Sequence, residues 1–272
     1  AMLLTQVPTR VPATSEAGRQ VHAAAEAVVS ALSSVFVLDP LPHAMRGYVP
    51  ARDVELRRGA ENLSAAVASL TADRRAKKRL LALLRELSEP PVEDLAFARS
   101  DLGDVMLTLR ERIGGRAYTV PARQMSDGTL RFLAVVTAVK QAPPEEPEAS
   151  AGQWSRTLVI EELENGLHPS QAAQALSALS TEARQRRVRL LATTHSTAML
   201  DALPGEAHDQ VVVCDRDDRG WSRLTVLSEL NRYLDVVTAG GLGDAALRDE
   251  LHPDEDQTPD PRRALSAILE GG

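Results

Sequence analysis

The stretch TLVIEELENGLHP, residues 157–169, decides the fold. Leu158, Val159 and Ile160 form a short apolar run between Arg156 and Glu161, the pattern of a strand buried on both faces rather than of an amphipathic helix. Glu161, Glu162 and Glu164 leave its carboxyl end, and Asn165, Gly166 and Pro169 follow as a turn. PSQAAQALSALSTEAR, 169–184, then has the alanine-rich, leucine-spaced look of a helix packed on a sheet. The unit is strand, loop, helix. Ligands of open α/β sheets bind at the carboxyl ends of strands, so carboxylates gathered there suit a cation or a metal on a phosphate. On spacing alone a solvated acidic turn is the better fit, because acidic residues commonly fill exposed loops.

Composition places the chain among soluble globular proteins. Its 272 residues are 43% hydrophobic and 25% charged, enough for one large core or two modest ones. Aromatic residues make up only 3%, so Ala, Leu and Val fill the interior, which favours helices on a sheet over an aromatic-rich sandwich. The net charge of -7 argues against a surface wrapped wholly in nucleic acid. The basic run RRAKKR, 74–79, reads as a solvated helix face or a local phosphate contact. One cysteine, Cys214, can form no internal disulfide, and no apolar run reaches bilayer length. With no secretory signal visible, the expectation is a cytoplasmic protein.

Periodicity gives the rest of the order. Residues 16–34 read as an amphipathic helix and VFVLDP after it as a strand. Residues 61–87 read as one long or two shorter helices, and 92–120 change period to a β-hairpin or meander. A helix starts at Ser126, and a proline-rich acidic loop covers 141–153. Later segments are a strand 188–195, a short helix STAMLDAL, the strands QVVVCD and WSRLTVL, and a loose polar tail from Pro253.

Two further stretches carry chemistry. In QMSDGTLRF, 124–132, Ser126 or Asp127 can cap a helix while Gly128 admits close approach, so this is either a plain N-cap or an anion site made of amides and the helix dipole. LLATTHST, 190–197, is a strand ending in His195, which either hydrogen-bonds structurally or orients a water or phosphate oxygen. A third stretch, VVVCDRDDRG, places Asp215, Asp217 and Asp218 after a strand. They read as a hairpin turn, with a metal-dependent nuclease as the alternative.

Taken in order, a helix-capping SDG, a strand ending in EE and a strand ending in TTHS resemble the ABC-type ATPases. The nearest resemblance is to the predicted bacterial ATPases related to recombination-repair, chromosome-maintenance and overcoming-lysogenization-defect proteins. SDGTLRFLAVVTAV resembles the signature motif, LVIEE the Walker B strand, LENGLHP the D-loop and LLATTHS the switch-histidine strand. The resemblance runs from about residue 36 to 250 and implies a layered P-loop NTPase-like α/β sheet flanked by helices, with a helical insertion at about 55–90 and the hairpin or meander. Residues 1–252 would be the carboxyl-terminal part of such a domain and 253–272 a polar tail.

The resemblance also implies roles, with ATP as ligand and Mg2+ as cofactor. Glu161 takes the Walker B position of the magnesium shell and Glu162 that of the catalytic glutamate polarising the attacking water. His195 matches the switch histidine at the γ-phosphate. The run Ser126, Asp127, Gly128 and Thr129 is implied to bind nucleotide, with Ser126 and Gly128 reaching the γ-phosphate held by the other subunit of a dimer. Such chemistry is mostly positioning and charge neutralisation. Leu163 stands where relatives usually have Pro, and His168 where classical transporters put an Asp.

One departure is large. No glycine in the sequence precedes a lysine, so no GxxxxGK[ST] Walker A loop is present. The expectation is the second part of a split ATPase domain, its amino-terminal Walker A lobe absent, binding ATP weakly or not at all alone. Its partner would be a second copy or a Walker A-bearing chain, with DNA or an effector protein engaged by the intact system and no membrane. A non-catalytic half that completes another protein's site is the alternative.

Overall fold

The computed structural model describes residues 4–87, 90–142, 156–253 and 261–270. In chain order, α1 (Val7–Arg10) and α2 (Glu16–Ser33) precede β1 (Val35–Leu38) and β2 (Val49–Pro50). The Ser15 hydroxyl caps α2 by accepting from the Gly18 amide at 3.0 Å. Next come α3 (Leu63–Leu70) and α4 (Arg74–Leu87), then β3 (Val92–Arg99), β4 (Asp104–Ile113) and β5 (Arg116–Pro121). They lead into α5 (Asp127–Lys140), β6 (Arg156–Ile160), α6 (Pro169–Gln185), β7 (Val188–Ala192) and α7 (Thr197–Asp201). The chain closes with β8 (Val212–Arg216), β9 (Ser222–Val226), α8 (Tyr233–Ala239), α9 (Leu242–Leu247) and α10 (Pro261–Glu270).

Three strands form a parallel sheet in the order β1-β6-β7. Its register sets Leu158 between Phe36 and Leu190, and Ile160 between Leu38 and Ala192. Leu158 and Ile160 are fully buried, as the apolar run of β6 predicts. A second, antiparallel sheet has the order β2-β4-β3 with β5 on β4, so residues 92–121 are a meander. Between the layers α5 is buried over most of its length, from Leu130 and Phe132 to Val139, and it touches both α3 and α6. That burial removes its polar face, and the one charged residue near its end, Lys140, is paired in the core with Glu182 of α6 at 2.5 Å.

Two sequence expectations change. The strand expected over 188–195 stops at Ala192, because Thr194 turns its hydroxyl onto the Ser196 amide at 3.0 Å instead of extending the ladder. The tail expected to be loose contains α10, which packs on β9 and β8 through the buried Ala264 and pairs Arg263 with Glu229. The acidic, proline-rich residues before PRRALSAILE mask its apolar helical spacing in the sequence. Most of the proline-rich loop expected at 141–153 lies outside the described residues. Among the described residues, no helix is long and apolar enough to cross a membrane.

Candidate nucleotide site

The parallel register brings two of the sequence-predicted motifs side by side. Ile160 lies beside Ala192, so the acidic turn after β6 and the TTHS turn after β7 leave the sheet together. Thr193 clamps the pair: its amide donates to the Ile160 carbonyl at 3.1 Å, and its carbonyl accepts from the Leu163 amide at 3.1 Å. The Thr193 hydroxyl also accepts from the Glu162 amide at 3.0 Å. Thr193 therefore fixes the backbone on which Glu161 and Glu162 stand.

The three carboxylates have different surroundings. Glu161 is exposed and its carboxylate has no hydrogen-bond or ion-pair partner among the described residues. Glu162 is exposed at φ +48°, a left-handed conformation that costs a non-glycine residue about 1–2 kcal/mol. Strain of this sort persists where the surroundings over-determine it, and such residues cluster at functional sites. Asn165 donates weakly to the Glu162 carboxylate at 3.3 Å. Glu164 is half-buried and accepts from the His195 amide at 2.8 Å, leaving its other oxygen buried without a hydrogen-bond partner among the described residues. It holds the backbone of the histidine whose exposed side chain the sequence singles out.

Ser126 caps α5, accepting from the Thr129 amide at 3.0 Å, and its hydroxyl meets that of Thr129 at 2.8 Å. The first amides of a well-buried helix thus point outward at the capped end, where the dipole favours an anion. Gly128 is closed against the turn of the acidic loop: a Cβ there would stand 2.0 Å from the Gly166 carbonyl oxygen. Gly166 itself has φ +83°, so both positions require glycine for different reasons. Ser126, Gly128 and Thr129 line a small cleft with Gly166, Leu167 and Gln171. None of Glu161, Glu162 and His195 lines it. The molecule has two corners joined by the loop 164–167.

That loop ends in a firm helix start. The His168 amide donates to the Gln171 side chain at 2.9 Å, its Nδ1 accepts from the Ser170 amide at 3.3 Å, and Pro169 occupies the first turn of α6. Sequence reasoning missed Thr193 as part of the site, and it placed Glu164 among the strand-end carboxylates and Asn165 and Gly166 in the turn without their contacts. The signal was present for Thr193 and Gly166, which flank the singled-out residues, but a side-chain to backbone bond across two strands has no trace in sequence spacing.

Of the three aspartates, Asp215 lies in β8 itself rather than after it, and Asp217 and Asp218 form the turn that follows. Asp215 pairs with Arg223 at 2.5 Å, and Asp217 accepts from the Arg219 and Trp221 amides, closing the β8–β9 hairpin around Gly220. Among the described residues no three His, Cys, Asp or Glu side chains gather to hold a metal. A magnesium ion needs no such group, since it keeps its waters and binds through one or two carboxylates plus substrate phosphates. The exposed Glu161 and Glu162 fit that requirement.

A three-stranded parallel sheet with helices on it is compatible with a P-loop NTPase-like α/β fold. A family model described as "AAA domain, putative AbiEii toxin, Type IV TA system" matches residues 8–201, well over half of the chain. The chain belongs to this AAA-domain family, and its general function is of the nucleotide-binding ATPase kind. No curated protein matches the sequence.

Proposed function

We propose that this chain is the Walker B, signature, D-loop and switch-histidine part of an ABC-type ATPase that works as a head-to-head dimer or with a Walker A-bearing partner. The observation that carries the reading is the separation of the two corners on one loop. The glutamate pair and the histidine stand on adjoining turns at the ends of paired strands, and none of them lines the cleft at the capped helix start. One chain's acidic corner and another chain's signature corner can then face the same nucleotide.

In this reading Glu162 accepts a hydrogen bond from the attacking water and orients it, its backbone held by Thr193. His195 hydrogen-bonds the γ-phosphate side of the same water, its backbone held by Glu164. Glu161 is the carboxylate that would hold magnesium through its water shell. Magnesium, when bound, neutralises charge on the phosphate oxygens. Ser126, Gly128 and Thr129 offer the hydroxyl and amides that bind the terminal phosphate of a nucleotide held by the other subunit. The sequence has no GxxxxGK[ST], so the amides that cradle the β- and γ-phosphates come from polypeptide outside these residues.

Amide chemical shifts of the chain titrated with MgATP and MgAMP test this. Weak binding is expected, with shifts at residues 126–129 and 161–195 from MgATP and not from MgAMP, and no turnover above background. Absence of shifts in both corners overturns the nucleotide reading. Turnover that Glu162→Gln and His195→Ala both abolish would instead show a site complete without the missing loop.

A further inference from the structure

Arg46 lies far from every motif in sequence, in the short helical turn Ala44–Arg46 that follows β1. Its guanidinium nevertheless reaches the loop before α5. One nitrogen donates to the carbonyls of Ala122 at 3.3 Å, Arg123 at 3.0 Å and Met125 at 2.8 Å, and the other pairs with Asp127 at 2.5 Å. The Arg46 side chain is 28% exposed and that of Asp127 61%, so the pair sits at the rim of the proposed phosphate position. One terminal nitrogen shares its two N–H groups among the three carbonyls while the other meets the carboxylate, a spread over two nitrogens that a lysine's single ammonium lacks.

The charge balance at this helix start needs explanation. Asp127 is the first residue of α5, where an acid suits the helix dipole but repels an incoming phosphate. Ser126 already caps the helix, so the Asp127 carboxylate is not needed to satisfy its amides. Its partner is Arg46. We propose that Arg46 is a positioning residue of the signature corner: it braces the carbonyls of the 122–125 loop and neutralises Asp127, so that the start of α5 accepts an anion. This rests on the nucleotide reading above. It also couples the end of β1 in the parallel sheet to the signature helix through a single side chain.

The test uses the full chain and follows shifts at residues 126–129 with MgATP and with inorganic tripolyphosphate. Wild type is compared with Arg46→Ala, Arg46→Lys, Asp127→Asn and the double variant Arg46→Ala/Asp127→Asn. Arg46→Ala is expected to weaken binding about tenfold, as loss of a charge-assisted contact does. Asp127→Asn, at an exposed position, is expected to tighten binding by about threefold because Arg46 is then unbalanced. The double variant should recover most of the loss, an outcome that a purely structural brace would not give. Arg46→Lys should fall between wild type and Arg46→Ala. Failure of the double variant to recover binding, or of Asp127→Asn to tighten it, overturns the proposal even if Arg46→Ala does not fold. If wild type itself shows no shift at residues 126–129, the nucleotide reading fails and this inference with it; if wild type binds and the variants do not follow, only the role of Arg46 fails.

Discussion

The capped corner at the start of α5 and the acidic corner after β6 are built in opposite ways. At the first, Ser126 is bonded to the helix it caps, Gly128 is closed on the Gly166 carbonyl, and Asp127 is paired with Arg46. At the second, the backbone is clamped by Thr193 and Glu164, while the side chains of Glu161, Glu162 and His195 project from exposed positions. A corner that recognises an anion with amides must be rigid before the anion arrives, because amides cannot reorient without unwinding the helix. A corner that works with carboxylates gains from leaving them exposed. Buried and unpaired, they would protonate or demand partners.

The largest expected effect follows from the rigid corner. Gly128→Ala places a methyl 2.0 Å from the Gly166 oxygen, so either the start of α5 or the 164–167 loop must move. Overpacking against backbone is expected to cost about 3 kcal/mol, read from urea unfolding. A loss under 1 kcal/mol would mean that the two corners are not locked through this contact.

Glu164→Ala comes next, removing the carboxylate that accepts from the His195 amide. A cost of about 2 kcal/mol is expected in the same unfolding measurement, as for a hydrogen bond to a charged group. Thr193→Val keeps the shape and removes the acceptor for the Glu162 amide, with an expected cost of about 1 kcal/mol. Faster amide exchange at Glu162 would locate the effect. Glu162→Gly should do the reverse. It relieves the left-handed strain at φ +48° and is expected to stabilise the chain by roughly 0.5 kcal/mol while removing the proposed water-orienting group. Destabilisation instead would show that the Glu162 side chain supports the fold.

The smallest effect is one of pH. Glu111 lines the cleft at the start of α5, and burial raises its carboxyl above the ordinary glutamate range. The folded chain therefore binds a proton more readily than the unfolded chain at this site. Stability from this group rises as pH falls from above the folded midpoint towards the unfolded value of about 4.3. The side chain is only partly buried, so the change is small. A carboxyl-carbon titration that gives Glu111 an elevated midpoint, and a flatter pH dependence of stability in Glu111→Gln, would bear this out.

Local chemistry was legible in the sequence. The β-branched run of β6, the Ser126 cap, the Pro169 helix start and the helix 16–34 follow from preferences that act within one or two turns of chain. The motif order was legible for the same reason, since each motif is a few adjacent residues. Tertiary structure alone decided which of these meet. Only the parallel register sets Thr193 under Glu162, only the approach of two glycines 38 positions apart locks Gly128 to Gly166, and only the path of the chain after β1 brings Arg46 to Asp127, 81 residues on. Which of the three glutamates at 161, 162 and 164 would be strained, which would be half-buried and which would remain free also depended on partners from the turn after β7. A sequence prescribes what each residue can donate, accept or bury; the partner that satisfies it is set by packing across the chain.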